Sequence, residues 1–441
     1  MIRSLSVRRG LALLMAASTC LLAACGSSSS SGGAAQWRVL NLTGDLPLVD
    51  VYSDTTSTPA FSGVATGVVT NYSTIASGTY VMRVAATGNT NTLFSGSYTL
   101  SANQHYTGLV WGSTGALQFA TLPEDDDTTL IATGNSQVRV YNATAGSGAL
   151  DVYLTQNIAD LTNATPTVSG VASAALSGYK ALVAGTYRLR VTSAGNPGDV
   201  RLDVPAVTLT AQQDASIIIT SGSGGVLVNG ALLVQQGAVT TYGNGQSRLR
   251  VAAGEPGNGI VSVLVDGVAL TSSALTSPAV STYATIVAGS HTVDVQLNGT
   301  SISSTTRSFT AGADYTLLAY KPDASGVQLL TDDNLLPAIG QVKMRLFNAD
   351  ASLPPLTLLR DNINPLIGDV VPGTSATQIT TPTVANQTST VNVNASNSIT
   401  PLYTSVPVVL QSQGVYSVFM LGGGSCPNST SPYCGVLRQD R

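Results

Sequence analysis

The residues able to do chemistry are few, and they fall into small sets. There are two histidines, His105 and His291, the side chains best suited to proton transfer or metal ligation near neutral pH. An acidic run, Glu124-Asp125-Asp126-Asp127, is echoed by Asp332-Asp333. Clustered carboxylates at such a junction suit Ca²⁺, which takes six to eight oxygens. Asp50 and Asp151 each stand two residues before a tyrosine. Trp111, with Tyr320 near the matching place in a later repeat, offers a ring on which a sugar could stack. No G-x-S-x-G elbow, H-E-x-x-H pair or phosphate-binding loop occurs. This pattern gives no catalytic residue, no cofactor site and no metal ligand set, and the chain reads as a non-enzyme.

The elements that must position these residues are repeats. Gln137–Tyr153, QVRVYNATAGSGALDVY, recurs as Trp37–Tyr52, Leu249–Leu264 and Met344–Leu359. Aligned on Arg38, Arg139, Arg250 and Arg345, the second apolar run begins twelve residues later each time, at Asp50, Asp151, Ser262 and Thr357. A fixed internal register means four copies of one folding unit. Three copies continue with a tyrosine, a glycine six residues on and a valine six further: Tyr72–Gly78–Val84, Tyr179–Gly185–Val191 and Tyr283–Gly289–Val295. This predicts a hairpin whose turn tolerates positive φ, with Tyr187, Leu189 and Val191 facing a core. The fourth copy keeps only the second half, near Thr390–Val393, and Thr374–Thr400 is poor in apolar residues. About seven short strands per copy, without helical periodicity, predict an all-β chain of four tandem Ig-like antiparallel β-sandwiches. Their expected extents are 37–122, 136–234, 246–331 and 341–441, the last divergent. Connectors Pro123–Ser136, Gln235–Gln246 and Thr331–Gly340 are short, so a string of domains with limited bend is expected.

The repeats weigh on the candidate residues. His291 occupies the position of Tyr80 and Tyr187, and His105 has a different place, so no repeated site uses histidine. Asp50 and Asp151 give way to Ser262 and Thr357, which favours a role in a turn at the strand start. The Gln235–Gln246 connector has no acid, so the acidic runs read as solvated linkers that discourage edge-to-edge association. Trp111 has no aromatic counterpart in the second repeat, near Ile219, and reads as a packing cap.

Composition narrows the class. Of 441 residues, 10% are charged and 43% hydrophobic, and net charge is −4. No basic patch exists to hold phosphates, which excludes nucleic acid as a partner. At the N-terminus, Arg3, Arg8 and Arg9 precede the apolar run Leu11–Leu22, then Leu22-Ala23-Ala24-Cys25-Gly26. That run is too short to be a stable membrane span.

The N-terminal pattern resembles the bacterial lipoprotein signal. The resemblance implies removal of residues 1–24, a lipid on Cys25, and anchorage in the membrane. Gly26 is not the aspartate that retains such proteins at the inner membrane, so an outer-membrane address is expected. Losing three of 19 basic residues and none of 23 acids leaves a net charge of −7. Residues 25–36 then form the lipidated cysteine and a Gly/Ser tether with a root-mean-square reach of roughly 18 Å. Cys20 leaves with the signal. In an exported protein, Cys426 and Cys434, eight apart, read as a disulfide.

In RVLN…VDVY, RVYN…LDVY and YKALVAGTYRLRV the chain resembles the bacterial domain-of-unknown-function family numbered 4397, clearest in the first two repeats. The resemblance implies secreted or surface-attached tandem Ig-like sandwiches without an established enzymatic role. The resulting expectation is a non-catalytic envelope lipoprotein that spaces or presents domains for an unidentified protein or glycan. The alternative is a polysaccharide-binding protein using surface aromatics.

Overall fold

The computed structural model describes residues 33–126, 131–156, 160–255, 257–271, 274–380, 388–422, 426 and 433–441. The signal-like segment and Cys25 lie outside the described residues, as does Asp127. Among the described residues the only helical turns are the 3₁₀ segments Thr114–Ala116 and Ala324–Gly326, and the chain is otherwise strands and loops. The all-β expectation holds.

The strands form four two-layer units, each closed over its own apolar core. In the first unit one sheet has the order Ser73–Ala76, Ala34–Thr43, His105–Gly112, Gln118–Pro123. Its partner sheet has the order Phe61–Ala65, Leu48–Ser53, Gly78–Ala86, Thr92–Leu100. Val39, Val49, Val51, Met82, Val84 and Val110 meet between them. The other three units repeat this plan on the strands that begin at Asn135, Gln246 and Val342. Aliphatic side chains dominate the core of the second unit, whereas Trp37, Phe61, Phe94 and Phe119 also fill that of the first. Tyr187, Leu189 and Val191 do face the second core.

Three details differ from the sequence reading. First, the sandwiches are not wholly antiparallel. The opening strand of every unit runs parallel to the strand beginning at His105, Asp214, Asp314 or Val415. Second, the tyrosine-to-glycine segment is a corner rather than a hairpin. Ser73–Ala76 pairs with the opening strand, whereas Gly78–Ala86 pairs with Leu48–Ser53 in the opposite sheet. A single residue between the strands leaves no hairpin loop, so the chain bends and changes sheet. The second and third units do the same. Of the three glycines only Gly289 has positive φ, at 132°. Third, the fourth unit is not missing its first half, because Thr374–Thr380 pairs with Val342–Ala349.

The topology also replaces the expected string. Within a unit, the opening strand and its parallel neighbour start at one end, and the antiparallel last strand returns there. Trp37 pairs with Tyr106, and Tyr106 pairs with Pro123. The chain therefore leaves the first unit beside the point where it came in, and the second unit lies alongside it. The third and fourth units are related in the same way. The second unit differs by one strand: its connector forms Val239–Tyr242, which pairs with Val228–Val234. This extra strand carries the chain to the far end. There the Gly224 N–H donates to the Gly312 carbonyl, and the Asn334 N–H donates to the Gly224 carbonyl. Arg441 donates to the carbonyls of Gly225 and Gly146 at the same junction. The molecule is two side-by-side pairs joined end to end.

Candidate functional site

The signature arginines converge on the faces that join the members of each pair. Each opening strand directs alternate side chains inward to its own core and outward to the neighbouring unit. In Asn135–Ala143, Val138 and Val140 point inward, and Arg139 and Tyr141 point outward. Both faces are covered, and every residue from Ser136 to Ala143 is buried.

In the first unit, Arg38 is 3% exposed. Its Nε donates to Thr107 Oγ1 at 2.9 Å, and its Nη2 donates to Glu124 Oε1 at 3.0 Å. It also donates into the second unit, to the carbonyls of Val234 at 3.0 Å and Gly237 at 2.5 Å. Tyr72 lies with its ring 4.9 Å from the guanidinium and its hydroxyl donating to Glu124. Arg139 answers from the second unit. It donates to Ser216 Oγ at 3.0 Å, to Asp126 Oδ2 at 2.7 Å and to the Pro123 carbonyl, with Tyr179 stacked at 4.7 Å.

The second pair has more charge. Arg250 donates to Thr316 Oγ1 at 2.7 Å and reaches Asp440 of the fourth unit at 2.6 Å. Arg345 of the fourth unit lies 2.7 Å from Asp332 of the third. Asp332 also lies 3.3 Å from Arg250 and accepts from the Tyr283 hydroxyl at 2.6 Å. One carboxylate thus joins two guanidiniums from different units. Burial works against the Arg250 charge, but the surrounding Tyr283, Asp332 and Asp440 hold it above its ordinary range. Burial, with Asp332 beside it, pushes Tyr283 well above the usual phenol value, so it remains a hydrogen-bond donor.

Apolar residues surround these polar centres. Leu40, Leu109, Trp111 and Leu122 of the first unit meet Tyr141, Ile218 and Leu233 of the second. In the other pair, Phe347 and Phe419 stack at 4.4 Å against Ala252, Leu318 and Tyr320. These residues make the arginine face a docking surface between repeats.

The acidic runs are therefore not solvated linkers. Glu124 is 4% and Asp332 1% exposed, each held by an arginine and a tyrosine. Asp125 pairs with His105 at 2.7 Å, Asp126 with Arg139, and Asp333 with Lys343 at 2.6 Å. Clustered acids at a junction are tolerated because the repeats bring a hydrogen-bonding partner to each of these, an arginine or lysine for Glu124, Asp126, Asp332 and Asp333. Among the described residues no group of three or more acidic, histidine or cysteine side chains could hold a metal. His291 Nδ1 pairs with Asp266 at 2.6 Å, 25 residues away, and does not approach His105's partners.

Trp111 is no sugar platform. It is 3% exposed, edge-on to Tyr141 inside the pair, and Tyr320 is 5% exposed. All the tryptophans, tyrosines and phenylalanines lie in described segments, and every one is buried or half-buried.

The remaining signature residues brace loops. Asn41 Nδ2 donates to the carbonyls of Leu46 and Val64, and its Oδ1 accepts from Thr43. Asn142 and Asn348 repeat this clamp between the two sheets. Where the third unit has Ala253, the Ser277 hydroxyl takes over by donating to the Ala253 and Glu255 carbonyls. Asp50 Oδ1 accepts from the Gly63 N–H at 2.7 Å, Thr87 Oγ1 at 2.9 Å and Ser62 Oγ at 3.1 Å. Asp151 accepts from the N–H groups of Gly170 and Gly195. Cys426 and Cys434 are bridged, with Cα atoms 4.5 Å apart.

Burial alone would raise the Asp50 carboxyl. Its donors, Gly63, Thr87, Gly88 and Ser62, outweigh that and hold it below the usual carboxylate value. A depressed folded value means the stabilisation is full above the unfolded pKa of about 3.9 and is lost as pH falls through the folded value. Asp50→Asn is expected to destabilise the first unit by about 1–3 kcal/mol at pH 7. The deficit should vanish in acid, as read by denaturant titration of tryptophan fluorescence at both pH values. A deficit unchanged in acid would mean that the carboxylate charge is not its source.

The architecture is that of tandem all-β repeats docked through a buried arginine face. The chain belongs to the family described as Domain of unknown function (DUF4397), whose profile matches residues 35–153 and 247–359. Each match covers the leading unit of a pair and continues into the first two strands of its partner. No curated protein matches the chain. Among solved structures it is similar to CBMbc (family CBM26) from Eubacterium rectale Amy13K in complex with maltoheptaose. That likeness has 12% identity and a TM-score of 0.15, over 47% of this chain and 96% of the other. The Bacillus anthracis TIE protein matches at 8% identity and a TM-score of 0.15, over 84% of this chain and 65% of its own.

Proposed function

We propose that the protein is a non-catalytic cell-envelope lipoprotein that holds docked pairs of β-sandwiches away from a membrane for contact with an external protein or glycan. One observation carries the reading. The polar residues that the repeats share are spent on structure: the arginines and their acids dock units, and the asparagines and Asp50 and Asp151 brace loops. Such a chain is built for a fixed shape. The charged N-terminus, its apolar run and the Ala-Ala-Cys25-Gly26 sequence support a lipid anchor. The Gly/Ser tether that follows supports display just clear of the headgroups, and Gly26 supports an outer-membrane address.

The anchor has a direct test. Protein extracted from membranes should begin at Cys25, carry a lipid mass there and partition into detergent. Cys25→Ser should remove both the added mass and the partitioning. A wild-type chain that begins elsewhere without added mass, and stays in the aqueous phase, would overturn the lipoprotein reading.

A further inference from the structure

Between the first and second units, at the end facing the third, lies a cleft of about 280 Å³. It is small for a ligand pocket, though close to the usual lower bound. Leu42–Gly44 and Thr66-Gly67 form one wall, and Thr220, Ser221, Asn229–Ala231 and Thr241–Gly243 form the other. Not one of these residues is charged. The hydroxyls of Thr220, Ser221 and Thr241 have no hydrogen-bond partner among the described residues. The contrast is the acidic groove at the opposite end of the pair, lined by Glu124, Asp125 and Gln236. There the carboxylates of Glu124 and Asp125 are already committed to Arg38, Tyr72, His105 and Gln236. Glycines at positions 44, 67 and 243 bring backbone to the cleft surface.

We infer that this cleft binds an uncharged saccharide. The uncommitted hydroxyls offer both donors and acceptors to sugar hydroxyls. Glycine backbone at the cleft surface allows close approach. The lack of any charged side chain disfavours phosphates, carboxylates and amines, which would enter without a counter-charge. Both walls are needed, so the site exists only because the arginine face docks the two units. The inference names a ligand for the contact role proposed above. It is read on purified protein, so its outcome does not depend on where the chain is anchored.

The test is an array of neutral and charged oligosaccharides probed with the detergent-purified protein, followed by calorimetry on any hit. Binding confined to neutral saccharides is expected. The variant Thr220→Val/Ser221→Ala/Thr241→Val keeps the shape and removes the hydroxyls, and should weaken binding at least tenfold. Its circular dichroism and melting should match the parent. If the variant fails that check, Thr241→Arg, which fills the mouth from an exposed position, should abolish binding in its place. No neutral hit, binding only to charged glycans, or neutral binding untouched by a folded variant would each overturn the inference.

Discussion

Replacing Arg250 with alanine is expected to destabilise the third and fourth units by about 3–5 kcal/mol, the usual result of removing one partner from a buried ion pair. Asp440, its side chain 3% exposed, would keep only the Ser417 hydroxyl as a close donor. A buried carboxylate without its cation takes a raised pKa. The folded variant then binds more protons than the unfolded chain, so its stability should rise as pH falls through that value. Removing charge from both sides, as in Arg250→Met/Asp440→Leu, should recover most of the loss. The readout is built into the sequence. Both tryptophans, Trp37 and Trp111, lie in the first unit, so their fluorescence reports the first pair, while circular dichroism reports every strand. Arg250→Ala should split the dichroism transition and leave the fluorescence transition in place. Coincident shifts of both would mean that the pairs unfold as one body.

Trp111→Ala is the complementary experiment. Deleting a buried tryptophan costs about 3–5 kcal/mol, and here the space lies between two units rather than inside one. Leu40, Leu109, Tyr141 and Ile218 would lose their common neighbour. The fluorescence of Trp37 should report a first pair that unfolds earlier, with the second pair unchanged by dichroism. A loss under 1 kcal/mol would mean that the interface closes over the gap, and that the arginine centre alone holds the pair.

Much of the fold was legible because register is a local property. The twelve-residue step from arginine to the second apolar run survives in all four copies since it spans the opening strand and the crossing to the opposite sheet. The pairing of units was written less openly. Outward positions that should be polar on a one-sided sheet are Leu40, Tyr141, Ala252 and Phe347, each two residues beyond its arginine. An unbroken apolar run with one embedded cation signals a strand covered on both faces. The acids that meet the arginine lie 86 and 190 residues away for Arg38 and Arg250, a separation that no local pattern records. The corner at Gly78 and Gly185 was misread for a related reason. Strand–turn–strand spacing does not say which sheet each strand joins. Asp50 and Asp151 were readable from their loss in later copies, which pointed to turns rather than to a ligand.

The extra strand Val239–Tyr242 sets the length of the stack of units. An eight-residue strand spans about 27 Å. Four such units in single file would extend roughly four times that. Doubling back within each pair halves the span and doubles the cross-section, trading height for stiffness. Without the extra strand, the third unit would begin at the same end as the first, and all four units would crowd one level. Four residues of connector therefore act as a vertical step, and shortening or lengthening that step by one strand should switch a two-storey column into a squat block.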